Sequence, residues 1–387
     1  MVRHRLVLTG GGTGGHIYPA LAMAEQFSED ADLESILYIG ANGHLEEKLC
    51  RARSIDFIGL DVSGMPRKLS PNLIVWPFQL LAAVTQARRS LSAFQPTVVL
   101  GTGGYASAPA LIAAAMLGIP FALHEPDAHP GLVNRLLARQ SSLVSCGMHG
   151  AYDRLKPERG KIVVNGNPVG KSFLNPMKRD AACAVLGLRA DLKTILITGG
   201  SQGARALNEA VIEILPDLLN LDPPVQIIHQ VGEKNIYECK ERIDQICLNN
   251  SRYFLRDYFD DLSVPYAVAD LTICRAGAMT ISELSVMGSP AIFIPFPFAA
   301  GDHQSHNARY MESKGAAIMI PQSESLAQTM RTELINLLSD DERLRAMRKA
   351  MIAEGKPRAA TDLAAQLREI STTHQIRRNK EGLRTES

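Results

Sequence analysis

The sequence predicts an α/β protein made of two doubly wound, Rossmann-like domains facing across a cleft, and three observations carry that prediction. Short apolar runs alternate with helical patterns along most of the 387 residues, as right-handed βαβ units and parallel sheets covered on both faces require. A strand, a glycine turn and a helix occur twice, near the start and near the middle. A second strand–loop–helix element, closed by Gly-x-Pro, also occurs twice.

In chain order, Arg5–Thr9 forms a short apolar strand leading into Gly10-Gly-Gly-Thr-Gly-Gly-His16 and then a helical pattern over Pro19–Phe27. Val98-Val-Leu100 runs into Gly101-Thr-Gly-Gly-Tyr105, a helix ending at Leu117, Gly118-Ile-Pro120 and the apolar Phe121–Leu123. The duplicate begins at Thr194–Thr198, followed by Gly199-Gly-Ser-Gln-Gly-Ala204 and a helix over Leu207–Leu219. Its second element is Leu271–Ile273, Arg275-Ala-Gly-Ala278, a helix to Met287, Gly288-Ser-Pro290 and Ala291–Phe296. The glycine closing each of these helices suits a left-handed C′ residue, and the proline prevents continuation. The first domain spans residues 1–167, with its boundary at the turn-rich Asn165-Gly-Asn-Pro168 after the strand Lys161–Val164, and the second spans 168–356. Residues 372–387 read as a polar, disordered tail.

Composition narrows the function. Lys plus Arg number 41 and Asp plus Glu 40, a net charge of +1, which excludes a dedicated nucleic-acid binder. Six cysteines without a Cys-x-x-Cys pair read as reduced thiols of a cytosolic protein rather than a disulfide or zinc framework. The opening MVRHRLVLTG leaves no room for a secretory leader. The stretch 101–123 carries no charge but is broken by Gly103, Gly104, Pro109, Gly118 and Pro120, so it reads as loop, buried helix and strand rather than a membrane span.

Ligands of open α/β sheets bind beyond the carboxyl ends of the strands, which directs attention to the glycine turns. Such turns let backbone approach an anion closely, and the helix that follows supplies oriented N–H groups. Neither turn is a nucleotide fingerprint: Gly10-x-Gly12-x-x-Gly15 fits weakly, and no Gly-Lys-Ser/Thr follows either turn. His16 closes the first turn and can serve as general base, given an ordinary pKa of ~6.5; a hydrogen-bonding cap is the plainer reading of the residue taken alone. His124 and Glu125 stand at another strand end, where a structural hydrogen bond competes with a ligand contact. Ala278–Glu283 opens a helix after a strand, so its first amides can hold phosphate while Glu283 reaches a ribose diol. Asp302–Asn307 supplies side-chain amides suited to sugar hydroxyls, or caps a helix. Met65-Pro-Arg-Lys68, followed by Leu73–Phe78 with Trp76, combines basic and apolar groups as a surface touching anionic lipid does; core packing is the plainer reading of Trp76. Asp30-Ala-Asp32 lacks the strand context of a metal-binding pair.

Taken together, Gly11–His16, Gly101–Ser107, Gly166-Asn-Pro168, Gly199–Ala204 and Arg275–Glu283 stand in the order found in the MurG family of bacterial N-acetylglucosaminyltransferases, and the chain resembles that family from about Leu6 to about Ile370. The resemblance implies a GT-B fold with an acceptor-binding first domain, a nucleotide-sugar-binding second domain and a last helix, 357–370, returning to the first. It implies inverting transfer of GlcNAc from UDP-GlcNAc to the 4-hydroxyl of lipid I, with no metal and no cofactor. His16 matches the family's proposed base. Thr13, Gly14 and Gly15 match the phosphate-lining loop, Ser201 a donor-phosphate contact and Phe259 the position whose backbone reads uracil. Ala278, Met279, Thr280, Ile281 and Ser282 match the helix start on the diphosphate, Glu283 the ribose contact and Gln304 the amide selecting the GlcNAc hydroxyls. Tyr105, His124 and Glu125 fall on the acceptor side. The resemblance also implies a peripheral location on the cytoplasmic face of the plasma membrane, an anionic membrane surface as partner and contacts with other cell-wall synthesis proteins.

The chain departs from the family pattern at Asp127, where Asn is usual, and at Gly170, where Arg is usual; Lys171 follows as a point charge. Three alternatives stand beside this reading: a related enzyme with another lipid or small-molecule acceptor, a non-catalytic nucleotide-sugar binder, and a UDP-sugar epimerase.

Overall fold

A computed structural model describes residues 3–64, 72–158, 160–200, 202–246 and 250–385. The chain divides into two compact units, residues 1–170 with 357–387, and residues 171–356. The first unit thus ends at Gly170, two residues beyond the turn-rich Asn165–Pro168.

The first unit holds a parallel sheet of β1 (His4–Thr9), β2 (Leu33–Ala41), β3 (Asp56–Leu60), β4 (Val98–Gly101), β5 (Phe121–Glu125), β6 (Leu143–Cys146) and β7 (Lys161–Val164). The strand order is β3-β2-β1-β4-β5-β6-β7, so the direction of winding reverses between β1 and β4. Alternating side chains feed two cores. Leu6 and Leu8 of β1 face the helix Gly14–Ser28 and the last helix through Ile17, Leu21, Leu363 and Leu367. Val7 and Val99 face the opposite side, with Ala87, Leu91 and Leu111. All of these side chains are at most 4% exposed, worth roughly 1.5–3 kcal/mol for each large one.

The second unit repeats the plan with β8 (Lys193–Thr198), β9 (Val225–Gln230), β10 (Tyr253–Arg256), β11 (Leu271–Cys274), β12 (Ala291–Phe293) and β13 (Ala317–Met319). Its order is β10-β9-β8-β11-β12-β13, with the reversal between β8 and β11. The inner strands β8, β9, β11 and β12 are short runs buried on both faces, as parallel pairing demands, and the edge strands β10 and β13 are partly exposed. Gly118 and Gly288 adopt φ of +67° and +65°, the left-handed conformation that the Gly-x-Pro pattern predicts.

Two segments differ from the sequence expectation. The last helix runs over Ala359–Thr385, so the polar tail expected to be disordered is helical through Thr385. Strand β5 continues through His124 and Glu125, pairing His124 with Ser145 and Glu125 with Cys146, so these residues lie in the strand rather than after it. The five described cysteines, Cys50, Cys146, Cys183, Cys239 and Cys274, are buried thiols. Asp30 receives Arg368 Nε at 2.5 Å, which ties it to the last helix.

Candidate active site

In the first unit the loops after β1 and β4 meet at the point where the winding reverses. Thr102 N donates to Thr9 O at 2.9 Å, and Gly11 N donates to Gly103 O at 3.4 Å. The two loops approach so closely that side chains are excluded. A Cβ on Gly10 would stand 2.0 Å from Thr102 Oγ1, and one on Gly104 would stand 2.0 Å from Gly11 O.

The helix Gly14–Ser28 starts directly out of this loop, with Thr13 exposed at its N-cap. Its first bonds run from His16 N and Ile17 N to Thr13 O at 3.1 and 3.2 Å, so the amides of Gly14 and Gly15 precede the hydrogen-bonded ladder. His16 is half-buried at the third helical position. Its Nδ1 donates to Thr102 O at 3.0 Å. A carbonyl oxygen accepts only, so this bond fixes the proton on Nδ1 of the neutral ring and puts the basic lone pair on Nε2. Tyr105 lies beside the loop, since a Cβ on Gly12 would stand 2.7 Å from its ring. Burial, then the Glu46 carboxylate, raises its phenol pKa.

His124 and Glu125 are buried inside the unit. His124 is 0% exposed; its Nε2 meets Asn167 Oδ1 at 2.9 Å and its Nδ1 meets Ser145 Oγ at 3.4 Å. Burial lowers its pKa to about 4, so the ring is neutral and serves to hold Asn167. Glu125 accepts from Asp127 N, Gly131 N and Asn134 Nδ2 at 3.1, 3.0 and 2.9 Å. Burial, then the Asp127 charge, pushes it up to about 7. These two residues therefore shape the 126–134 loop from beneath. The reason is the extension of β5, whose pairing with β6 holds both side chains inside the unit.

The second unit brings together the loops after β8 and β11. Gly200 and Gly203 have φ of +82° and +72°, and Gly203 N donates to Gly200 O at 3.0 Å. Ser201, expected here, lies outside the described residues. The helix Ala278–Met287 is capped by Gly277, and its first bond runs from Ile281 N to Gly277 O at 3.0 Å. The amides of Ala278, Met279 and Thr280 come before that bond, where a helix attracts anions. The next two residues of the expected stretch are hydrogen-bonded within the helix. Ile281 has its amide in the ladder and its side chain in the core, and Ser282 Oγ donates to Ala278 O at 2.9 Å. Glu283, 9% exposed, has its carboxyl pushed up to about 8 by burial and then by Asp261.

Gln304, half-buried near the start of the helix His303–Ser313, accepts from Phe296 N at 2.9 Å through Oε1. That bond orients its amide, and the NH2 group is what remains to meet a ligand acceptor. Phe259, half-buried, follows β10 in the loop leading to Asp261.

Sequence reading missed several supporting residues. Asn134 bridges His124 O and Glu125 Oε2 at 3.1 and 2.9 Å. Thr102 carries the carbonyl that orients His16. Asn307, already named as the end of the Asp302–Asn307 stretch, has a further duty, since its Nδ2 donates to Ala276 O at 3.2 Å. Glu46 is 1% exposed and lies against Gly11, where a Cβ would stand 2.2 Å from its Oε1. Only Thr102, directly after a strand and before two glycines, carries a local signal; the others depend on tertiary pairing. Among the described residues no group of three His, Cys, Asp or Glu side chains is placed to hold a metal ion.

Two doubly wound parallel units, each with a glycine turn and a helix start at its winding reversal, are the build of the GT-B fold. Residues 6–144 match the glycosyltransferase family 28 N-terminal domain, and residues 194–363 match the family 28 C-terminal domain. The chain is 42% identical over 363 residues to the UDP-N-acetylglucosamine–N-acetylmuramyl-(pentapeptide) pyrophosphoryl-undecaprenol N-acetylglucosamine transferase of Halothermothrix orenii, covering 93% of this chain and 97% of that protein. The enzyme of the same name from Desulforudis audaxviator is 38% identical over 368 residues, with 92% and 95% covered. The crystal structure of Acinetobacter baumannii MurG superimposes with a TM-score of 0.73 at 28% identity, covering 95% of this chain and 99% of that one. The chain belongs to glycosyltransferase family 28, within its MurG group.

Proposed function

We propose that this protein transfers N-acetylglucosamine from UDP-GlcNAc to the 4-hydroxyl of the N-acetylmuramyl-pentapeptide of lipid I, with inversion at the anomeric carbon, forming lipid II. The fixed tautomer of His16 carries the reading. An imidazole with its lone pair on Nε2, in a glycine-lined loop, suits removal of a proton from an alcohol at neutral pH. The alkoxide attacks the sugar C1 as the bond from C1 to the phosphate oxygen breaks, and UDP leaves with the electron pair. Oriented N–H groups stabilise that developing charge without a cation. The helix start at Met279 and Thr280, with Ala278, suits the diphosphate, and the full activity expected in excess EDTA tests this point.

In this reading Glu283 accepts from the ribose hydroxyls, Gln304 donates its NH2 to the sugar and the backbone near Phe259 meets the uracil. Thr13, Gly14, Gly15 and Tyr105 line the first loop. Glu125 and His124 act from beneath, by fixing the loop that Asn134 and Asn167 brace.

Lipid I is an amphiphile, and the helix Asn72–Phe94 offers a means of reaching it. Val75, Phe78 and Leu81 are 49%, 70% and 64% exposed, one helical step apart on the solvent side. Trp76 is half-buried and donates to Ser63 O at 3.0 Å. The basic Met65–Lys68 segment lies outside the described residues, and no described helix is long and apolar enough to cross a membrane. We place the protein on the cytoplasmic face of the bacterial plasma membrane, held by this apolar strip and anionic lipid.

The test is radiolabelled GlcNAc transfer, offering lipid I, diacylglycerol or no acceptor. Label appearing only in lipid II supports the reading. Label in a diacylglycerol product, or conversion of UDP-GlcNAc to an epimer without acceptor, refutes it.

A further inference from the structure

Tyr266 carries a buried hydroxyl that folding alone does not explain, and Glu283 stands on the helix packed against it. Tyr266 is 3% exposed, and its hydroxyl has no hydrogen-bond partner. Glu283 is 9% exposed, and its carboxyl has none among the described residues. Leaving a buried hydroxyl unsatisfied costs about 1–3 kcal/mol, and the Tyr266 phenol stands on the helix Ser263–Val268, which packs against the helix of Glu283, Ala278–Met287. Burial and then the Glu283 charge raise the pKa of the Tyr266 phenol.

Of the neighbouring polar groups, Asp261 and Arg275 are committed, and Lys171 stands on the short helix Lys171–Leu174, which also packs against Ala278–Met287. Asp261 accepts from Ser263 N at 2.8 Å and from Ser172 Oγ at 3.3 Å. Cys274 of β11 is a buried thiol. Arg275, the next residue, donates to Ile294 O, Pro295 O and Gln322 Oε1 at 2.9, 3.2 and 2.8 Å. Among the described residues no cation neutralises Glu283, and its one charged neighbour of note is another carboxylate.

We propose that Tyr266 is a positioning residue that donates its hydroxyl to the Glu283 carboxylate when a ribose diol is bound, so that nucleotide-sugar binding and proton release from Glu283 are a single event. The inference rests on the donor-site reading above. In the free protein Glu283 keeps its proton at neutral pH, because burial and then Asp261 push it up to about 8. A bound diol supplies two O–H donors, which favour the carboxylate. The carboxyl proton leaves to buffer, and the phenol O–H fills one remaining lone pair, a charge-assisted bond. A ligand that favours the deprotonated form binds more tightly as pH rises toward the free-state pKa.

Calorimetry with UDP-GlcNAc, whose diphosphate is esterified at both ends and does not titrate near neutrality, reads this directly. The wild-type affinity should rise about twentyfold from about pH 6.5 to about pH 8.5. Tyr266→Phe should bind about tenfold more weakly at the higher pH, with a smaller pH response. Glu283→Gln should bind weakly at both pH values. Loss in Glu283→Gln with wild-type affinity and pH response in Tyr266→Phe overturns this inference and leaves the donor site standing. Full affinity in Glu283→Gln overturns both. Should Tyr266→Phe fail to fold, the wild-type titration still decides, since an affinity unchanged between the two pH values overturns the coupling.

Discussion

His16 and Thr102 hold one another by two reciprocal hydrogen bonds. His16 Nδ1 donates to Thr102 O at 3.0 Å, and Thr102 Oγ1 donates to His16 O at 2.5 Å. The first bond selects the imidazole tautomer, and the second locks the loop carrying the carbonyl that does so. Orientation of a base by a fixed acceptor on its other nitrogen is how a histidine is kept ready for proton removal.

Replacing His16 by Ala removes the base and leaves the second unit untouched. We expect kcat to fall about a hundred- to ten-thousand-fold with the KM for UDP-GlcNAc unchanged. Steady-state transfer to lipid I checks this, and wild-type kcat in the variant would remove His16 from the chemistry.

Gly103 supplies a subtler test of the same geometry. Its φ is +99°, and a Cβ there would stand 2.8 Å from His16 Nδ1. Gly103→Ala therefore strains the backbone by about 1–3 kcal/mol and displaces the ring from the Thr102 carbonyl. A melting curve and kcat measured together should show a folded protein of lower Tm and strongly reduced turnover. Undiminished turnover would mean that the ring position does not matter.

The pH dependence of stability should report the pair Glu125 and Asp127. The folded-state pKa of Glu125 is raised, so its contribution is complete below the ordinary glutamate range near 4.5 and is lost as pH rises through about 7. Asp127 is the second cause of that rise. Asp127→Asn should therefore raise Tm by a few degrees at about pH 8 and leave it unchanged at about pH 5, where Glu125 is protonated in both proteins. His124, whose lowered pKa costs stability as pH falls from 6.5 through about 4, affects both proteins equally and cancels. An equal Tm gain at both pH values would exclude the electrostatic cause.

Membrane attachment is checked by pelleting with vesicles rich in anionic lipid. Phe78→Ser with Leu81→Ser removes exposed apolar surface without touching either core, so the bound fraction should drop while Tm holds. Unchanged pelleting would place attachment elsewhere.

The duplicated strand–glycine–helix pattern makes the parallel architecture legible in the sequence, because buried parallel strands must be short apolar runs and the turns between them need glycine. His16, the helix start at Ala278 and the left-handed Gly118 and Gly288 were legible for the same local reasons. Two things were not. The polar composition after Ser371 resembles a tail, yet contacts upstream carry the helix onward: Ser371 Oγ donates to Thr97 Oγ1 at 2.7 Å, and Gln375 Nε2 donates to Arg3 O at 2.7 Å. The depth of His124 and Glu125 depends on two further residues of pairing between β5 and β6, which propensity does not specify. Asn134 and Tyr266 gain their meaning only from partners far away in sequence.

The most direct test of the account is a crystal structure of the protein with UDP. The diphosphate should lie on the backbone amides at Ala278–Thr280 with the ribose against Glu283. A nucleotide lodged instead in the Gly10–His16 loop would contradict the division of labour between the two units.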